Sequence, residues 1–136
     1  MTLRLTVTVP AGPLHRSAGA TVSVALTNDG DAPVLVNRRM AAGYLDSISR
    51  EIYCDIDADY GIRKYDRDLP VPSDYGPIEP GESVVGEFDL LTWYRISAPG
   101  TYRLVVHYQC DEAPAHPPAG IARGVLSAAA QQITVD

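Results

Sequence analysis

Apolar and polar residues alternate along much of this chain with a period of two, the pattern of strands that bury one face. In the segment 80–108, reading PGESVVGEFDLLTWYRISAPGTYRLVVHY, Val84, Gly86, Phe88 and Leu90 share one face while Val85, Glu87 and Asp89 take the other. After Pro99-Gly100, Tyr102, Leu104, Val106 and Tyr108 point one way and Thr101, Arg103, Val105 and His107 the other. Two such strands with a short connection, each introduced by Pro-Gly, predict a half-buried antiparallel sheet. The same grammar opens the chain, where Leu3, Leu5, Val7 and Val9 alternate with Arg4, Thr6 and Thr8. It returns with Val22, Val24 and Leu26 set against Thr21, Ser23, Ala25 and Thr27.

Asn28-Asp29-Gly30-Asp31 supplies turn chemistry, and a third strand is expected over 33–37. Residues 38–50 have mixed periodicity, compatible with a short helix or an irregular excursion. Ile52, Cys54 and Ile56 then alternate with Tyr53, Asp55 and Asp57, a turn follows at 58–61, and a short strand over 62–65 closes a hairpin. The proline-containing stretch 67–80 is expected to wander over the surface. Between Leu90 and Pro99 a single turn is expected to carry Trp93 or Tyr94 over an open edge of the core. Residues 109–124 read as the longest irregular region, and a last strand lies within 126–135.

This spacing predicts an all-β fold: an immunoglobulin-like antiparallel two-sheet β-sandwich of about seven to nine strands with at most one short helix. A closed barrel is the structural competitor. The length of 136 residues suits one domain spanning 1–136, long enough to bury roughly two thirds of the unfolded surface without a metal or disulfide.

Charge narrows the partners. Seventeen acidic against eleven basic residues give a net charge of −6, which repels a phosphate backbone or an anionic membrane surface. Nucleic acid is not expected, and no apolar run is long enough for a membrane span. The alternation from Leu3 onward lacks the continuous apolar run of a secretory signal, so a cytoplasmic protein without a leader is expected.

Asp55, Asp57, Asp59 and Asp66 have the acidic spacing of a calcium loop. Against that reading, the sixth position holds Tyr60 where glycine is needed, the twelfth offers Asp where a bidentate Glu is needed, and the flanks alternate as strands. A hairpin with solvated carboxylates is the expectation, with no resident metal or cofactor. Cys54 and Cys110 both fall in inward phases, where two reduced thiols or an inter-sheet disulfide would lie, the former favoured. A zinc site of these cysteines with His107 and His116 is improbable, because His107 points away from Cys110. His15 and His116 lie in loops and His107 on an exposed strand face, and no serine sits in a nucleophile elbow, so hydrolytic chemistry is not expected. Tyr102, just after Pro-Gly-Thr, reads as a core and corner residue.

The order Leu26-Thr27-Asn28, Pro33-Val34-Leu35-Val36, a hairpin ending in Gly61 and Tyr65, Pro80-Gly81-Glu82-Ser83, Asp89-Leu90 followed by Tyr94, and Pro99-Gly100-Thr101-Tyr102 resembles a known module. It is similar to the N-terminal, non-catalytic domain of deuterolysin-like zinc metalloproteases and, more loosely, to the bacterial intracellular proteinase inhibitor family. No His-Glu-x-x-His motif is present. The resemblance implies an accessory module that binds or restrains a partner protein, a protease among the candidates, and does not cut one.

The expectation is therefore a non-enzymatic protein-binding module, a protease inhibitor or regulatory domain, acting through the excursion 38–50 and the loop 110–124. In the latter, Asp111, Glu112, His116, Ile121 and Arg123 would supply contacts. Two alternatives stand beside it: a structural subunit assembling through edge strands into an oligomer or filament, with the first or final strand pairing, and a calcium-dependent binding domain.

Overall fold

A computed structural model describes residues 3–43, 50–62, 70–110 and 120–136. The fold is all-β, with eleven strands among the described residues, one four-residue helix and one 3-10 turn. The first sheet has the order β1-β2-β7, from β1 (Leu3–Thr8), β2 (Thr21–Asn28) and β7 (Ser83–Asp89), all antiparallel. The second is built on β9 (Gly100–Cys110), which pairs with β4 (Ile52–Ile56) on one side and with β10 (Gly124–Ser127) and β11 (Gln131–Val135) on the other. Two ribbons complete the body: β3 (Val34–Asn37) with β6 (Tyr75–Ile78), and β5 (Tyr60–Ile62) with β8 (Tyr94–Ile96). The division of the two main sheets matches the A-B-E against C-F-G partition of the immunoglobulin sandwich.

The inner faces are those the alternation prescribes. Val22, Val24 and Leu26 from one sheet, and Leu104, Val106 and Tyr108 from the other, are almost fully buried in one apolar cluster. Burying a side chain of this size contributes roughly 1.5–3 kcal/mol relative to leaving it exposed. Tyr102 closes the corner before β9, its hydroxyl donating to the carbonyl of Ala98 at 2.8 Å, the tyrosine corner of such sandwiches. At Gly86 the inner face of β7 admits no side chain, because a Cβ there would lie 2.8 Å from the Cβ of Met40. Met40 reaches that position with a φ of 57°, a left-handed conformation uncommon for a residue with a side chain.

Several expectations change. The amphipathic segments ending at Asp89 and beginning at Gly100 fall in opposite sheets, since β7 pairs with β2 and β9 with β4, β10 and β11. Between them α1 (Leu90–Trp93) and β8 carry Trp93 and Tyr94 into the core, not over an open edge. Asp89 caps that helix by accepting from the backbone N–H of Leu91. The stretch 67–80 is not a wandering loop throughout: Pro72–Asp74 form the 3-10 turn and β6 follows. No β4–β5 hairpin forms, because β5 pairs with β8. Within 38–50, residues 38–43 form no helix and touch β4 through a bridge between Ala42 and Ile52.

The last strand proves to be two. Ser127 pairs with His107 and Gln131 with Leu104, so residues 128–130 stand opposite only two residues of β9, a β-bulge. The inward phase switches with it, from Leu126 and Ala128 to Ile133 and Val135, as one extra residue requires.

Candidate functional site

The end of the sandwich where β9 terminates gathers the two segments singled out from the sequence. β3 ends at Asn37, whose N–H donates to the Cys110 sulfur at 3.3 Å while the Tyr108 hydroxyl donates to the Asn37 carbonyl at 2.6 Å. The chain leaving β3 is therefore tied to the last residues of β9. Asn37 turns it further by accepting the Arg39 N–H on its side-chain oxygen at 2.9 Å.

Arg39 then meets Glu51, the residue before β4. The guanidinium Nε and Nη2 reach Oε1 and Oε2, each at 2.8 Å, and Ala41 N–H adds a third bond to Oε1 at 2.9 Å. Glu51 is only 3 % exposed, so its carboxylate is held by this set of donors in place of water. Burial works against the Arg39 charge, but hydrogen bonding to Glu51 and its negative charge outweigh that and raise the guanidinium pKa. Buried pairs of this kind cost much in desolvation, and removing one partner leaves the other charge uncompensated.

The same anchoring continues on both sides. Tyr94 donates its hydroxyl to the Gly43 carbonyl at 2.8 Å and accepts the Cys54 N–H at 2.9 Å. Gln109 N–H donates to the Glu51 carbonyl at 2.7 Å, and its side-chain oxygen accepts from Arg50 at 2.8 Å. From the far side of the second excursion, Ala122 N–H donates to the Leu35 carbonyl at 2.8 Å. Burial raises the pKa of both Tyr94 and Tyr108, so each remains a neutral donor across any ordinary pH.

Among the contact residues expected in this region, Asp111, Glu112 and His116 lie outside the described residues, as do residues 44–49 of the other excursion. Ile121 is half-buried and packs against the core. Arg123 is exposed and already engages a partner within the chain.

A second cluster lies on the outer face of the β4-β9-β10 sheet, and the sequence reading missed it. His107 stands directly between Tyr53 and Ser127 across the three strands. Its Nδ1 lies 2.7 Å from the Ser127 hydroxyl and its Nε2 2.6 Å from Asp55 Oδ2, while Tyr53 stacks on the ring with centroids 4.9 Å apart. Arg50 lies 4.1 Å above the Tyr53 ring. The imidazole side chain is 13 % exposed, so His107 is not the ordinary surface histidine expected. Serine, imidazole and carboxylate in sequence suggest a nucleophile, base and orienter. The backbone argues against that use: Ser127 ends β10 in extended conformation, not at a nucleophile elbow, and the N–H of the following Ala128 is spent on the Val106 carbonyl at 3.0 Å, so it cannot stabilise an oxyanion.

The acidic run does not form a calcium loop among the described residues. Asp55 faces His107, and Asp57 Oδ1 accepts the Arg103 N–H at 2.6 Å. Asp59 uses its carbonyl for Ser97 N–H, and Tyr60 begins a strand where the ion loop would turn. Asp66 lies outside the described residues. No group of three or more His, Cys, Asp or Glu side chains suited to a metal occurs among the described residues. The cysteines also separate: Cys54 pairs with Val106 on the same sheet that ends in Cys110, four positions further along the strand at ~3.3 Å each. That exceeds what a disulfide spans, and both cysteines are buried and form no disulfide. Burial, reinforced by the Asp55 charge, pushes the Cys54 thiol up and leaves it a poor nucleophile.

No known protein family matches the chain, and no curated protein is similar to it.

Proposed function

We propose that this domain is a non-enzymatic protein-recognition module whose contact surface is the end of the sandwich bearing residues 38–50 and 110–124. The observation that supports this reading is the convergence of their roots. Asn37, Arg39, Glu51, Arg50, Gln109 and Cys110 are joined through hydrogen bonds, so both excursions leave one rigid base. A rigid scaffold presenting neighbouring loops is the arrangement by which sandwiches recognise proteins, since loop residues vary without disturbing the core. The buried Glu51 carboxylate fits the same purpose, fixing the register of the excursion at its root. A protease is the partner class that the resemblance implies.

The test is a photo-crosslinking residue placed in turn at Ala41, at Arg123 and, as the opposite-end control, at Ala98. Adducts to one common protein from Ala41 and Arg123, with none from Ala98, are expected. Adducts from Ala98 alone would overturn the assignment of the surface.

A further inference from the structure

The sheet β1-β2-β7 ends on one side in β7, and the hydrogen bonds at its two ends reveal how that strand is oriented. Asn28 N–H donates to the Glu82 carbonyl and Leu90 N–H to the Ala20 carbonyl. With the register Leu26 to Val84 and Val24 to Gly86 between them, the even-numbered residues of β7 direct their backbone groups at β2. Ser83, Val85 and Glu87 therefore direct theirs away from it, to an edge where no further strand pairs among the described residues. Such a row of unpaired N–H and C=O groups is a template for another strand.

Of the usual protections β7 carries only the charges of Glu87 and Asp89. It contains no proline, lysine or bulge, and at its centre Val85 is 74 % exposed, the most exposed large apolar side chain among the described residues. Around Val85 the outer face is a shallow depression of about 540 Å³ lined by Thr6, Thr8, Ser23, Ala25 and Glu87. The other edge of the sheet differs, for β1 lies beside β10 and β9 of the facing sheet.

We infer that β7 pairs with β7 of a second copy of this chain, antiparallel about a two-fold axis through Val85, so that two three-stranded sheets join into one of six. The symmetry and the charges select this occupant and this register. With the axis at Val85, Val85 faces its own copy and Ser83 faces Glu87, so three positions on each strand exchange backbone bonds as narrow pairs. Apolar meets apolar and each carboxylate meets a hydroxyl. An axis at Glu87 would oppose two carboxylates, and one at Gly86 would set Val85 against a carboxylate, both unfavourable cross-strand pairs. This pairing uses backbone groups at the outer edge of β7 and none of the hydrogen bonds at the roots of 38–50 and 110–124, so it neither rests on the recognition reading nor excludes it.

The experiment is sedimentation equilibrium of the wild-type chain at high micromolar concentration, beside Val85→Lys, Val85→Pro and Thr6→Lys. The lysine variant places two like charges at the axis. The proline variant removes an N–H that faces the open edge, where proline is tolerated in a strand. Expected are a wild-type and Thr6→Lys mass of twice 14.6 kDa, and dissociation constants at least about tenfold weaker for both Val85 variants. A Val85→Cys variant should form a disulfide-linked dimer on mild oxidation, because a narrow pair places the Cα atoms about 5.5 Å apart. A monomeric wild type, a dimer that neither Val85 variant weakens, or a dimer in which Val85→Cys does not cross-link would overturn the proposal.

Discussion

The two sheets bury equivalent inner faces and differ in what they turn outward. On the β4-β9-β10 side the outer surface is cross-linked: His107 binds Asp55 and Ser127 and stacks on Tyr53, and Arg50 covers that ring while holding Gln109. The β1-β2-β7 side shows, apart from the Arg4–Asp29 pair at one end, small hydroxyls, Ala25, Glu87 and the exposed Val85. The contrast extends to the strand edges, one sheet being continued at its loop-bearing end by the Arg39–Glu51 pair, the other ending in β7, whose outer edge pairs with no strand among the described residues. A surface whose polar groups already satisfy one another has little to offer a partner strand, whereas a bare β-branched edge does.

The comparison can be broken at its strongest point first. Glu51→Ala removes the acceptor of Arg39 and Ala41 and takes the bidentate Glu51 charge from a largely buried guanidinium, so a loss of about 3 kcal/mol is expected in urea denaturation. A loss below about 1 kcal/mol would mean that this end of the sheet is less tightly joined than its geometry implies. Tyr94→Phe should follow, at about 2 kcal/mol, because the Cys54 N–H and the Gly43 carbonyl lose their buried partner together.

Asp89 sharpens the other side. Partial burial pushes its carboxyl up, but the Ala20 N–H, the Thr92 hydroxyl and the Thr92 and Leu91 N–H groups donate to it, outweigh that and lower the pKa. A folded pKa below the unfolded one gives a contribution present above about pH 3.9 and lost as pH falls through the folded value. Asp89→Ala should therefore cost about 1 kcal/mol near neutral pH, and the gap from wild type should narrow in acid. A gap that widens on acidification would reverse the assigned sign.

The two outer faces are then compared directly. His107→Ala, which unties three strands, is expected to cost about 1 kcal/mol. Val85→Thr, read at a concentration where the chain is monomeric, should stay within about 0.5 kcal/mol of wild type.

Much of the fold was legible in the sequence, and the unread part has definite causes. Alternation names the face a residue takes, so the inward set of β2, β7 and β9 and the corner role of Tyr102 follow from it. It does not name the partner strand, which is why two adjacent amphipathic segments fell in opposite sheets. The strand at β6 was hidden by Gly76 and Pro77, which the two-stranded ribbon accommodates at its edge. The bulge at residues 128–130 does leave a trace, the passage of apolar residues from even to odd positions. For the candidate site, the two excursions could be chosen, but the buried Glu51 could not, since its burial depends on Arg39 folding back twelve residues. His107 was read as solvent-facing because its partners Asp55 and Ser127 become neighbours only through strand pairing.

Residue-resolved amide hydrogen exchange at dilute and at high protein concentration tests the contrast most directly. The amides of Ser83, Val85 and Glu87 should exchange freely when dilute and gain protection as concentration rises, while those of Tyr53, Asp55 and His107 stay unchanged. Protection of the three β7 amides that is already complete at dilution, or that never rises with concentration, would contradict the account.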